Sequence, residues 1–224
     1  MLEPAVALTD YAITIESLFL AALLRRQDAS AARRWFTVFF VFIGIAAALG
    51  GTVHGFVSDA STEAYAILWR ATLISIGVVA VAAAMAAANS GWNRTVRDTV
   101  SGIVILGFVG YCTEVVLVSQ EYRLAIIAYL PATVFLLISF LAAYFRASQH
   151  RPARMLLGAA GMVLTFVAAG VQQSRLRLAF LDHNALYHVV QAIALLSIYG
   201  GAVEIMRPKI SRPADNRDRY ETRL

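Results

Sequence analysis

The sequence predicts an all-α integral membrane protein, a bundle of seven transmembrane helices, and three observations carry that class. Of 224 residues, 59% are apolar and only 15% charged, where a soluble domain carries about a quarter charged residues. Mean hydropathy is +0.67. The apolar residues gather into seven runs, 7–24, 35–56, 66–88, 99–118, 125–145, 155–174 and 184–206, each near the roughly 20 residues that span a bilayer. The breaks are short, so sequential neighbours are expected to pack antiparallel in one membrane domain over 1–206. The polar tail 207–224, with Pro208 and Pro213, reads as disordered.

The first run is expected to be an uncleaved helix. It lacks a basic leading segment, carries Glu3 and Asp10, and its basic cluster follows the apolar stretch instead of preceding it. Run two opens after Arg33 and Arg34 with Trp35, and Trp69 and Trp92 also fall at predicted span ends, where amphipathic rings favour the interface. Small residues crowd Ala46–Gly51, Ala80–Ala88 and Gly158–Gly161 and allow close helix approach. There is no repeat of fixed period and no heptad. Asp182 is a plausible N-cap for run seven.

Charge sets the orientation. Arg25, Arg26, Arg33, Arg34, Arg94, Arg97, Arg146, Arg151, Arg154, Arg207 and the five basic residues of the tail fall on one side. Arg70, Arg123, Arg175 and Arg177 fall on the other, a bias of 15 to 4. The richer side is expected in the cytoplasm, with the N-terminus outside. Basic residues spread between spans are topology signals, so the net charge of +5 implies no nucleic-acid groove. The single cysteine, Cys112, excludes disulfides within the chain and a cysteine metal cage. One lysine against eighteen arginines, with abundant alanine, is the composition of a GC-rich bacterial genome, hence an expected bacterial cytoplasmic membrane.

Ionisable groups inside a membrane cost roughly 2.5–3.5 kcal/mol each on insertion scales and are functional candidates. Glu16, His54, Glu114 and His188 qualify, with Arg70, Gln172, Gln173 and His183 at the edges. In the expected orientation nearly all lie in the outer half. In run seven, Asn184, His188 and Gln191 share one helical face at about 100° per residue. A polar stripe on an oily helix must face protein or water. One shared site in the outer half is therefore expected, with Arg70, Glu114, Asn184 and Gln191 as candidate ligand-binding groups and Glu16 and Ser17 as candidate catalytic ones. Several have a plainer alternative: His54 as an interfacial histidine, a Glu114–Arg70 structural pair, Gln172, Gln173 and Gln191 as interhelical glue, His183 as a surface residue at a helix start.

At GGTVHGF (Gly50–Phe56) and HNALYH (His183–His188) the chain resembles the superfamily of seven-helix membrane hydrolases that includes alkaline ceramidases and progestin/adiponectin-type receptors. The acids Asp10 and Glu16 are similar to the acidic first helix of ceramidases. The resemblance covers the helix count, these motifs and those acids, and is loose elsewhere. It implies a zinc ion on His54, His188 and, outside regular helix, His183, with an open position for an activated water. Two departures stand out. The serine expected one turn before His54 is Gly50, though Thr52 is close by, and the expected HxxxH pair is Asn184 to His188, with His183 one residue early.

Four functions remain open on these residues. One is a metal-dependent hydrolase of a lipid amide or ester, with Glu16 as base or supporting carboxylate. The second is a non-enzymatic protein binding a lipid or small ligand, which the lost serine and broken pair favour. Haem between His54 and His188 and proton transport through Glu16 and Glu114 are the others, the latter without the inverted repeat common in transporters. Membrane lipids are the expected partners.

Overall fold

In the computed structural model, residues 2–147, 153–174, 178 and 181–207 are described. Among them are seven helices, α1 (Pro4–Leu24), α2 (Ala31–Phe56), α3 (Glu63–Ala88), α4 (Arg94–Leu117), α5 (Tyr122–Arg146), α6 (Ala153–Ser174) and α7 (His183–Ile205). All seven are long and apolar enough to cross a membrane. Arg151, Arg175, Arg177 and the tail beyond Arg207, with its expected disorder, lie outside the described residues.

Local chemistry fixes where the helices begin. Ser30, Thr62, Asn93 and Asp182 each accept a hydrogen bond from the backbone N–H three residues on, satisfying one orphan donor of a first turn. Pro4 occupies the first turn of α1, where its missing N–H costs nothing. These caps start α3 and α4 three to five residues before the apolar runs, because a polar first turn is helical without being hydrophobic.

Six helices close a ring in the order α1, α2, α3, α5, α6, α7, with α7 returning to α1. The expected packing of every sequential pair fails at one place. α4 meets α5 at few residues and lies outside the ring, against α3. Gly77 explains the seat. A Cβ there would stand 2.6 Å from the Tyr111 ring, so glycine lets that ring lie flat on α3, where the Tyr111 hydroxyl donates to the Leu73 carbonyl at 2.8 Å. Of α4, Val115 alone is buried, and Ile103, Leu106, Val109 and Leu117 stay exposed, as side chains facing lipid would be.

The ring is solid at one end and hollow at the other. At the end of α1, the fully buried Phe36, Phe39, Phe40 and Phe140 fill the middle with Leu136 and Ile198. Phe36 and Phe140 stack at 6.2 Å. Trp92, in the α3–α4 turn, donates to Ser139 Oγ at 2.9 Å and lies 4.7 Å from the Arg146 guanidinium, tying that turn to α5. α6 and α7 cross at glycine: a Cβ on Gly201 would overlap the Gly158 Cα, and one on Gly161 would stand 2.7 Å from the Ala194 carbonyl.

That crossing gives a test. Gly201→Ala is expected to lower the thermal unfolding midpoint of the purified protein, since overpacking costs about 1–3 kcal/mol against a helix-propensity gain of about 1 kcal/mol. Gly107→Ala, on the open face of α4 with nothing within 4 Å, is expected to leave the midpoint unchanged or higher. Equal effects would contradict the packing described.

Candidate functional site

The hollow end encloses a cavity of about 350 Å³, walled by all six ring helices and not by α4. Its polarity is graded. Towards the starts of α1 and α7 the wall is Asp10, His54, Tyr122, Gln172, Asn184, Tyr187 and His188; further in it becomes mainly apolar, with Ile13, Ile43, Ile76, Val79, Leu130 and Phe166 beside Thr72, Thr133 and Thr165, whose hydroxyls donate to carbonyls of their own helices. His54 to Ile43 is eleven residues of α2, about 16 Å of depth at 1.5 Å per residue.

At the polar end, α1 and α7 are joined through His188. Its Nε2 lies 3.2 Å from Asp10 Oδ1 and its Nδ1 2.9 Å from Thr9 Oγ1. Asp10 is the seventh residue of α1 and His188 the sixth of α7, so two helices running the same way bring them to one level, about 8–9 Å in. The proton inventory follows from the partners. Thr9 Oγ1 lies 2.9 Å from both the Ala5 and Val6 carbonyls. Its one proton goes to a carbonyl, and it accepts from His188 Nδ1–H. Nε2 then faces Asp10 Oδ1 at the distance of an ion pair, and pairing an acid with an imidazole lowers the cost of holding either in a nonpolar bundle.

Asp10 is seated by glycine. Its carboxylate lies against Gly50 and its Cβ against Gly51, where an added Cβ would come within 2.9 Å. Asp10 Oδ2 has no hydrogen-bond partner among the described residues, nor has Gln191 Oε1. Asp10 and Gln191 are 5% and 6% exposed; a buried unpaired acceptor costs about 1–3 kcal/mol. Tyr122, Tyr187 and Gln172 turn their polar ends toward one another nearby. At the rim, His54 Nδ1 meets Glu3 Oε2 at 2.6 Å, while the Leu2 and Glu3 N–H groups donate to the Gly55 and His54 carbonyls. The chain start is thereby clasped to the end of α2.

Of the residues singled out by sequence, His54, Asn184, His188, Gln191 and Gln172 line this cavity. The others do not. Arg70 turns away to the Gln120 amide carbonyl, at 2.8 Å from Nε and 3.0 Å from Nη2. The Arg70–Glu114 pair is therefore not formed, and Glu114 stands half-buried on α4 outside the ring. Glu16 and Ser17 lie deeper on α1, off the cavity wall, where Glu16 Oε1 and Ser17 Oγ have no hydrogen-bond partner among the described residues. His183 opens α7 without reaching the cavity. Thr52, the nearest hydroxyl to Gly50 by sequence, accepts from Tyr11 at 3.1 Å and donates to the Ala48 carbonyl.

The zinc centre implied by the resemblance needs three converging ligands. His54 and His188 share the cavity, but His188 has a partner on each nitrogen and His183 is absent from the wall. Among the described residues no three histidine, cysteine or acidic side chains converge as metal ligands, so this donor set does not fit that centre. Asp10 is the central residue that sequence reasoning undervalued. It was read only as one of two first-helix acids, although Thr9-Asp10 beside a Gly-Gly pair on α2 is the pattern of a polar group held by close helix contact.

The seat of Asp10 is testable at the two glycines. At Gly50 an added Cβ makes ordinary contacts of 3.7–4.0 Å with the carboxylate. Gly50→Ser is expected to raise the thermal midpoint by donating to Oδ2, with a net hydrogen bond of about 1 kcal/mol. Gly51→Ala is expected to lower it by about 1–3 kcal/mol through overpacking. The opposite order would show that Asp10 is not held as described.

No curated protein and no solved structure matches the chain. One family, described as a family of unknown function, matches residues 5–207. That match takes in all seven helices and every residue of the cavity wall, and the chain belongs to this family, DUF6962.

Proposed function

We propose that this membrane protein binds an amphipathic small molecule or single-chain lipid in the ring cavity and acts as a receptor or sensor. The observation that carries the reading is the graded wall, polar from Asp10 to Gln172 at one end and mainly apolar around Ile43 and Val79 at the other, where the threonine hydroxyls are taken up by their own helices. A head with hydrogen-bonding groups is matched at the first end, and a hydrocarbon chain at the second. Binding pockets of about 300–1,000 Å³ with a few convergent polar groups are usual for such ligands. The unmatched zinc ligands, and Gly50 in place of a serine hydroxyl, favour binding over hydrolysis. A fold can keep a pocket while the groups for chemistry are lost.

The charge bias of 15 basic residues to 4 favours a cavity mouth on the outer face of a bacterial cytoplasmic membrane. The ligand would then arrive from outside or from the outer leaflet. The solid phenylalanine end would keep the cavity from running through to the cytoplasm. Burial of the chain supplies the affinity, at about 25 cal/mol per Å² of apolar surface, and the polar mouth selects the head.

The test uses the full chain in bilayer nanodiscs with 1-decanol as a neutral single-chain probe, against empty nanodiscs to subtract partitioning. Saturable binding is expected. Ala46→Leu and Ala169→Leu, which push methyl groups into the cavity from α2 and α6, are expected to weaken it at least about tenfold, equal to 1.4 kcal/mol. Binding that does not saturate, or that both variants leave unchanged, would sink this reading.

A further inference from the structure

The head chemistry of the ligand can be read from what the cavity wall offers and what it lacks; this inference rests on the amphiphile-binding reading above. Every buried unpartnered side-chain polar atom among the described residues is an oxygen. Two of them, Asp10 Oδ2 and Gln191 Oε1, belong to cavity-lining side chains more than nine-tenths buried. A carboxylate and an amide carbonyl ask for hydrogen-bond donors. Among the described residues no lysine or arginine lines the cavity, and Arg70, on the same helix as Trp69, is held by the Gln120 amide. A carboxylate, phosphate or sulfate head would thus face Asp10 with no lysine or arginine among the described wall residues to receive it.

The third observation is aromatic. Trp69, Tyr122, Tyr129 and Tyr187 all line the cavity. Trp69 is packed between Tyr65 and Tyr122 with ring centroids 6.2 and 6.1 Å away, a run that fixes it in place. Aromatic walls draw cations through the negative faces of their rings, by about 0.5–1 kcal/mol when exposed and about 2 or more when desolvated. The charges around the mouth point the same way. Glu3 is held at the rim through His54, and Asp182 caps α7 two residues before Asn184, the first residue of that helix on the cavity wall. One buried acid, an amide oxygen on the same cavity wall, several ring faces and, among the described residues, no lysine or arginine describe a cation site.

We infer that the cavity takes a single-chain organic cation, an alkylammonium. Its ammonium head lies among Asp10, Gln191 and the rings of Trp69, Tyr122, Tyr129 and Tyr187, and its chain points towards Ile43 and Val79. A protonated amine brings up to three N–H donors and one positive charge. It can satisfy both orphan oxygens while its alkyl carbons meet the rings. A neutral alcohol supplies one donor and no charge, and a fatty acid reverses the sign.

The experiment compares decylammonium, 1-decanol and decanoate, three heads on one chain length, on the full protein in neutral nanodiscs at pH 7, with empty nanodiscs as reference. Decylammonium is expected to bind at least tenfold more tightly than decanol, and decanoate most weakly. Asp10→Asn is expected to erase the advantage of decylammonium over decanol. Tyr129→Phe, which keeps the ring, is expected to retain the advantage, and Tyr129→Leu to reduce it at least threefold; this pair tests the head site even if Asp10→Asn does not fold. Decanoate binding as tightly as decylammonium, or an ammonium advantage that survives both Asp10→Asn and Tyr129→Leu, overturns the inference. Decanol binding without any ammonium preference overturns the head assignment alone, whereas failure of all three probes overturns the amphiphile reading as well.

Discussion

The contact between Asp10 and His188 is the constraint on which the rest of the architecture depends, because it joins the first helix to the last. Helices in lipid gain no hydrophobic energy from meeting one another, so association rests on packing and interhelical hydrogen bonds. A buried carboxyl and an imidazole on separate helices would each be expensive in that setting. Placed at one level on α1 and α7, with His188 Nε2 3.2 Å from Asp10 Oδ1, they offset much of that cost. The ring closes around them. Thr9 adds a second anchor by accepting from the other imidazole nitrogen, so the His188 ring is fixed in tautomer and orientation together.

The hollow half and the solid half follow from side-chain volume. Alanine and glycine line the C-terminal half of α2, from Ala46 through Gly50, and leave room that phenylalanines at 36, 39 and 40 fill nearer the start of the same helix. Glycine has a different role on α6 and α7, where Gly158, Gly161 and Gly201 bring two backbones together. The same residue type thus opens space in one seam and removes it in another; what decides is whether a large neighbour occupies the gap. The exclusion of α4 from the ring has a similar origin. Gly77 admits the Tyr111 ring to α3, and α5 takes the ring position beside it.

Much of this was legible in the residues. The seven spans follow from hydropathy, and the Asp182 cap from its place before an apolar run. The stripe of Asn184, His188 and Gln191 follows from helical periodicity, and all three line the cavity. Partnership was not legible. Periodicity gives the face of a residue on its own helix but not which helix lies opposite. Glu114 therefore sat at the expected depth and yet belongs to the one helix outside the ring. Arg70 found an amide in the α4–α5 connection instead of an acid. Asp10 was undervalued because it lies near the start of its span, where an acid reads as interfacial. The glycines that bury it are forty residues away in the chain. His183 shows the limit of motif matching: one residue of offset on a helix turns a side chain by about 100°, enough to take it off the cavity wall.

The central claim is that one coupled pair, Asp10 with His188, closes the ring and organises the polar end of its cavity. A double-mutant cycle on unfolding of the purified protein, with Asp10→Asn, His188→Gln and the double variant, measures that coupling directly. The account predicts a coupling energy of at least about 1 kcal/mol, in the range for residues sharing one buried network. Single-variant effects that add to within about 0.5 kcal/mol would mean that the two side chains stabilise the fold independently, and the closure described here would be contradicted.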